Sequence, residues 1–126
     1  MISSVQADAF VEQTAPQRIE VRKAVMHDIQ AILDLINGHA AKGVMLPRTE
    51  FELSEAIRDF TGVTANDQLL ACDALPFYTP TIGEIRSLAV AEAAKTRGVG
   101  RKLVRALVLE AQQYELDAVF AFTYVA

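Results

Sequence analysis

From Gly83 to Ala111 the apolar residues change period once, and that change limits the fold more than any other feature. GEIRSLAV (83–90) alternates, with Glu84, Arg86, Leu88 and Val90 on one face and Ile85, Ser87 and Ala89 on the other, which is the period of a strand. From Gly98 the apolar positions Leu103, Val104, Leu107, Val108 and Ala111 fall at helical spacing, and the opposite side carries Arg101, Lys102, Arg105 and Gln112. Between them lies AKTRGVGRKL (94–103), two glycines one residue apart among basic side chains. A strand that runs so soon into an amphipathic helix is covered by that helix, so the chain contains a helix packed on a sheet.

The remaining segments extend that unit. RIEVRKAV (18–25) alternates Ile19 and Val21 with charged neighbours and reads as a half-buried strand. Ile29, Ile32, Leu33 and Ile36 predict a helix from His27 to about Ala41, stopped by Gly43. A second helix is expected from Thr49, whose hydroxyl can cap it, to about Phe60. GVTA and QLLACDALPFY read as two strands joined by a tight turn at Asn66 and Asp67, residues that tolerate left-handed backbone. LDAVFAFTYV closes the chain as a β-prone run. The order β, α, α, β, β, β, α, β makes an α/β (α+β) domain, a mixed central sheet flanked by helices. Residues 1–17 lack a period and end near Pro16, so they are expected to form a flexible leader ahead of one domain at 18–126.

Composition excludes several classes. At 126 residues and 52% apolar the chain has enough material for the core of one domain. No stretch approaches the roughly 20 apolar residues of a membrane helix, and the N-terminus is not built like a secretion signal, so no membrane partner is expected. A single cysteine, Cys72, rules out an internal disulfide and a cysteine-cluster metal site. That usage fits a cytoplasmic location. His27 and His39 have no metal-ligand neighbours in the sequence, and no metal is expected. A net charge of −4 argues against nucleic acid as the partner. The basic residues are nonetheless concentrated, with five (Lys95, Arg97, Arg101, Lys102, Arg105) inside eleven positions.

The glycine loop is where this pattern predicts a ligand. First-turn N–H groups lack partners inside the helix, and the aligned peptide dipoles make that end partly positive, so it receives anions. Gly98 and Gly100 allow an anion close to the main chain, or they serve only a tight loop and close packing of helix on sheet; both readings stand. The loop is not a P-loop, which needs Gly-x-x-x-x-Gly-Lys-Ser/Thr. It also lacks the third glycine and the early position of a dinucleotide fingerprint.

IRSLAVAEAAKTRGVGRKLVRAL resembles the acetyl-CoA-binding segment of the Gcn5-related N-acetyltransferases, whose signature is Gln/Arg-x-x-Gly-x-Gly/Ala between the fourth strand and the third helix. Here it reads Lys95-Thr96-Arg97-Gly98-Val99-Gly100, with Lys95 in place of the usual first residue. MLPRT (45–49), GEIRSLAV and VFAFTY (119–124) narrow the resemblance to the amino-acid N-acetyltransferases that make N-acetylglutamate for arginine biosynthesis. The resemblance implies acetyl-CoA as co-substrate, held by Lys95, Thr96, Arg97, Gly98, Val99, Gly100 and Arg101 and by the main chain of Leu88, Ala89 and Val90. It implies Arg48 at the substrate carboxylates, with Glu84 and Arg86 facing the acceptor site.

An amine attacks a thioester only as the neutral base, so such an enzyme must take a proton from an ammonium and stabilise an oxyanion. Glu84 is the candidate base, directly or through water, and a backbone N–H near Leu88 the oxyanion donor. Arg48 suits a carboxylate, and Arg86 or Lys42 a second one. Each residue has a plainer reading: Arg48 as a solvated residue at a helix start, Glu84 and Arg86 as a local ion pair, Cys72 as core. The family continues past the fifth strand into another helix and two strands. On that pattern the chain is expected to be a domain incomplete at its C-terminus, its last strand an edge through which a homodimer can form. Three functions stay open: acetylation of an amino acid, glutamate first; acetylation of another amine or a protein N-terminus; and a non-catalytic CoA-binding fragment.

Overall fold

The computed structural model describes residues 18–122, so the expected leader and the last residues of the closing strand, including Tyr124, lie outside the described residues. Six strands form one sheet: β1 (Ile19–Lys23), β2 (Phe60–Ala65), β3 (Gln68–Ala74), β4 (Phe77–Thr79), β5 (Ile82–Val90) and β6 (Ala118–Ala121). Three helices flank it: α1 (Ile29–Ala40), α2 (Glu50–Ala56) and α3 (Val99–Gln113). The strand order is β1-β2-β3-β5-β4, with β6 on β5. Every pairing is antiparallel except β5 with β6, which are parallel and joined through α3, as a strand–helix–strand crossover requires.

The local chemistry accounts for most boundaries. Asn66 and Asp67 both take the left-handed conformation, φ 51° and 64°, and turn β2 into β3 as expected. Thr49 caps α2 by accepting from the Glu52 N–H at 3.2 Å, while Glu52 returns the bond by accepting from the Thr49 N–H at 3.1 Å. Gly43 ends the turn after α1 with φ 75°.

Three expectations need correction. The second helix stops at Ala56; a 3-10 turn over Ile57–Asp59 follows, and Phe60, expected at the helix end, opens β2 fully buried. QLLACDALPFY is two strands rather than one, broken at Leu75 and Pro76, because proline cannot donate to the ladder. The expected fourth strand is therefore β5.

The third correction concerns faces. Arg86 pairs with Ala74 and Ala89 with Cys72, so Ser87 and Leu88 stand opposite the single residue Asp73 in a β-bulge, with Ser87 at φ 54°. The extra residue reverses the alternation. Arg86 and Ala89 share the α1 face, whereas Val90 packs towards α3, and the expected common face of Glu84, Arg86, Leu88 and Val90 does not run the length of the strand.

The core lies on both sides of the sheet. Ile29, Ile32, Ile36, Leu53 and Ile57 cover Phe60, Cys72, Ala74 and Ala89 on one face. Val99, Leu103, Leu107 and Ala111 of α3 cover the other, over Val63, Ala65, Ala71 and Leu75. Cys72 is core, as expected: burial pushes its thiol up to about 12, which leaves it without thiolate character.

Candidate active site

β5 is a fork. Its first half, Ile82–Ile85, lies between β4 and β6, whereas Arg86, Ala89 and Val90 pair only with β3 among the described residues. Among the described residues the strand's other edge is thus unpaired from Arg86 onward, just where the bulge displaces the main chain. Both features set the main chain of Leu88 beside that edge, with Ala89 back in register with Cys72. The Val90 carbonyl is already engaged, 2.9 Å from Nε2 of His39.

On the α1 face, the elements converge on residues 84–87. The Asn37 side chain on α1 grips the main chain of Arg48, accepting from its N–H at 3.0 Å and donating to its carbonyl at 3.2 Å. Arg48 then reaches over the sheet: Nη1 donates to Ser87 Oγ at 2.8 Å, Nε lies 3.6 Å from Glu52, and the guanidinium sits 6.0 Å from the Phe60 ring. Its side chain is only 18% exposed, so it is no solvated helix-start residue. Arg86 donates from Nε to Glu84 Oε1 at 2.7 Å, and its guanidinium lies 5.7 Å from the Tyr78 ring. Burial would lower the Arg86 pKa, but the bonds to Glu84 and Tyr78 outweigh it and raise it. Tyr78 meets Phe120 edge-on at 5.1 Å, and Phe120 meets Phe122 at 5.3 Å, so an aromatic wall backs Glu84.

Glu84 is 5% exposed and paired, so the local ion pair foreseen as its plainer reading is present. The pair also fixes the carboxylate's position beside the open edge. A different acid, Asp73, is raised to about 7 by burial. Geometry decides against it as a base, because Asp73 neighbours Cys72 and Ala74 on β3 and faces α3, on the other side of the sheet.

The second cluster is the turn into α3. Gly98 is its N-cap at φ 74°, and no side chain caps that end. A Cβ on Gly98 would meet nothing within 4 Å, and one on Gly100 would meet Val90 Cγ2 at an ordinary 3.8 Å. Close packing of helix on sheet therefore explains neither glycine. Gly98 answers to its backbone angle, and space remains above Gly100. Lys95, Thr96, Arg97 and Arg101 are exposed around this end, with Lys95 3.0 Å from Glu92. Val99 differs: its side chain is core, so only its main chain can meet a ligand. Lys42 lies near Glu92, whose carboxyl is held below its usual range by Lys95 first and by Lys42 and His39 further off. Lys42 is itself exposed, and the charged partner described for it is Glu92.

Four contributors were not singled out in the sequence: Asn37, Ser87, His39 and Phe120. Their roles come from contacts between segments 11 to 51 residues apart, which no local spacing encodes. No group of three or more metal-ligating side chains is assembled among the described residues, and no described helix is long and apolar enough to cross a membrane.

The two glycines separate by a simple experiment. Gly98→Ala is expected to lose about 1 kcal/mol of stability, because an L side chain at that angle is strained. Gly100→Ala, with room for its methyl, is expected to melt no lower than the parent, since alanine favours the helix. Thermal melts of the two variants check this.

Comparison with known proteins converges on one group. The model of the acetyltransferase (GNAT) family matches residues 38–126. A protein of Chlorobaculum tepidum described as an uncharacterized N-acetyltransferase is 38% identical over 103 residues, spanning 82% of this chain and 66% of that one. An amino-acid acetyltransferase of Pectobacterium carotovorum is 32% identical over 105 residues, which is 82% of this chain but 24% of that protein. Among solved structures, N-acetylglutamate synthase from Neisseria gonorrhoeae, complexed with coenzyme A and N-acetyl-glutamate, superposes with a TM-score of 0.80 at 29% identity, covering 84% of this chain and 25% of that one. Rv2747 of Mycobacterium tuberculosis, solved in a complex containing CoA, gives 0.78 at 31% identity, covering 83% and 64%. The chain thus spans from about a quarter to about two thirds of these relatives' lengths.

Proposed function

The chain belongs to the acetyltransferase (GNAT) family, and from that membership we propose that it transfers an acetyl group from acetyl-CoA to the α-amino group of an amino acid, specifically L-glutamate. The observation that carries the acceptor is the placement of two guanidiniums, Arg48 and Arg86, on one sheet face around Glu84 and Ser87. An acceptor with two carboxylates needs two fixed cations, and an amine needs a base between them. The Neisseria structure, solved with N-acetyl-glutamate, points the same way.

Acetyl-CoA, when bound, supplies an acetyl thioester. The turn into α3 fits its anionic end: uncapped N–H groups, open space at Gly98 and Gly100, and the exposed cations Lys95, Arg97 and Arg101. The open edge of β5 fits the amide-bearing arm, through the main chain of Leu88 and Ala89. Arg48 and Arg86 hold the two carboxylates of the acceptor. Glu84 takes the proton from its ammonium, directly or through one water, and so exposes the nitrogen lone pair. The bulge at Ser87 and Leu88 presents a main-chain N–H to the oxygen on which charge develops as the N–C bond forms. The C–S bond then breaks, CoA leaves as the thiolate, and the second proton of the attacking nitrogen passes through solvent to that thiolate, which leaves the neutral amide and CoA.

Arg48→Ala tests the acceptor. Losing a charged, two-bond contact costs about 1.5–3 kcal/mol, so KM for glutamate is expected to rise about 10- to 100-fold while the Kd for acetyl-CoA stays within about twofold. An equal loss for both substrates, or acetylation of amines that lack carboxylates at the parent rate, overturns the glutamate assignment. Gly100→Ala, folded as above, is expected to bind acetyl-CoA more weakly; unchanged affinity removes the cradle from the proposal.

A further inference from the structure

On the face of the sheet that α3 covers, a cavity of about 440 Å³ opens between that helix and strands β1 and β2. Its aliphatic walls are Val21 on β1 and Ala106 and Leu109 on α3. Lys23 lies two residues beyond Val21 and pairs with Thr61, beside Arg58 in the turn before β2, while Glu110 and Gln113 lie one turn beyond Ala106 and Leu109. The polar groups therefore gather at the Arg58 end. At the other end Val21 is 37% exposed and Leu109 55%, so the fold leaves aliphatic surface uncovered there.

Three cations line this cavity against the one carboxylate of Glu110, and two of them are committed. Arg22 turns to Asp28 and holds it through two bonds of 2.8 Å, which keeps that carboxyl below its usual range. Lys23 Nζ is 2.8 Å from Glu110 Oε2. Arg58 is exposed and forms no ion pair among the described residues. Its neighbour Asp59 is raised by burial, and the cations acting on that carboxyl are Lys23, Arg86 and Arg48. The cavity thus holds one uncompensated positive charge. The Thr61 hydroxyl and the Gln113 amide in the same lining have no hydrogen-bond partner among the described residues.

We propose that this cavity is a second ligand site, for a small organic monoanion: one carboxylate on a short aliphatic body. The Arg58 guanidinium presents two parallel N–H donors to the carboxylate, with the Thr61 hydroxyl and the Gln113 amide as further donors. The aliphatic body lies on Val21, Ala106 and Leu109 and takes their exposed surface out of water. Its size suits the cavity, since 440 Å³ falls within the range of small-molecule sites. One free cation matches one carboxylate, and Glu110 in the lining repels a second anionic group. The site is separate from the glycine turn, because Gly98 opens α3 two turns before Ala106.

The test titrates the whole chain with sodium hexanoate, against sodium chloride at equal ionic strength, and follows backbone amide shifts by NMR. Hexanoate is expected to shift residues 21–23, 58–61 and 106–114 and to leave 98–101 in place. Arg58→Gln removes the charge and Leu109→Gln the apolar wall; both side chains are exposed, so both variants are expected to fold. Each is expected to raise the half-saturating concentration about tenfold, as the loss of one such contact does. Sodium acetate, which lacks the body, is expected to need at least about tenfold more, and hexylammonium chloride to give no shifts at these positions. Absent shifts, shifts confined to 98–101, equal shifts from hexylammonium, or unchanged affinity in Arg58→Gln overturns the proposal. The readout is independent of acetyl transfer, so its failure leaves the proposed function standing.

Discussion

Glu84→Gln is expected to lower kcat for acetyl transfer by about 10²- to 10⁴-fold, the range that a positioned proton acceptor contributes. Gln keeps an oxygen for the Arg86 Nε, now 2.7 Å from Glu84, so the variant removes proton-accepting capacity with little change in the local bonding. KM for glutamate and the Kd for acetyl-CoA are expected to stay within a few-fold. That split separates a base from a mere partner of Arg86, whose loss would loosen the carboxylate site and raise KM. Steady-state kinetics on both variants, Glu84→Gln and Arg86→Ala, decide it: a kcat within about threefold of the parent excludes Glu84 as the base.

The second large effect is on stability and lies on the opposite face. Asp73 titrates near 7 in the folded chain against 3.8 for an ordinary aspartate. Between those values the folded state holds a proton that the unfolded chain has released, so stability falls as pH rises through this window. Asp73→Asn removes the titration while keeping the shape. It is expected to gain about 2–3 kcal/mol relative to the parent between pH 5 and pH 8, from about 1.4 kcal/mol per pKa unit. Denaturant unfolding at the two pH values measures this, and a pH-independent difference between variant and parent shows that Asp73 is not the group responsible.

Much of the fold was legible because its signals are local. Asn66 and Asp67 both need the left-handed region of a tight hairpin, and Thr49 with Glu52 makes a reciprocal cap within four residues. The apolar periods of α1 and α3 are set by which face must leave water. The errors fall where a local rule met a non-local demand. Phe60 extends the pattern of the second helix, yet the sheet takes it as the first residue of β2, because pairing with Ala74 and full burial outweigh a last helical turn. Asp73, a lone acid in the apolar run LLACDAL, was itself a readable anomaly, since a carboxylate between buried neighbours is costly.

The strand, the basic glycine turn and the helix that follows were readable from neighbouring residues alone, and with them an α3 N-terminus that no side chain caps, because backbone N–H groups and left-handed glycine act within one or two turns of chain. The sequence also supplied Arg48, Glu84 and Arg86 as residue types fit for a carboxylate and a proton. Which of these side chains meet depends on contacts between distant segments. Asn37 on α1 fixes the loop that carries Arg48, Arg48 crosses 39 residues of sequence to Ser87, and the bulge at Ser87 sets which β5 side chains share a face. Side-chain direction along a strand alternates with every residue, so one inserted residue reverses it. Whether a residue is inserted is settled by pairing with β3.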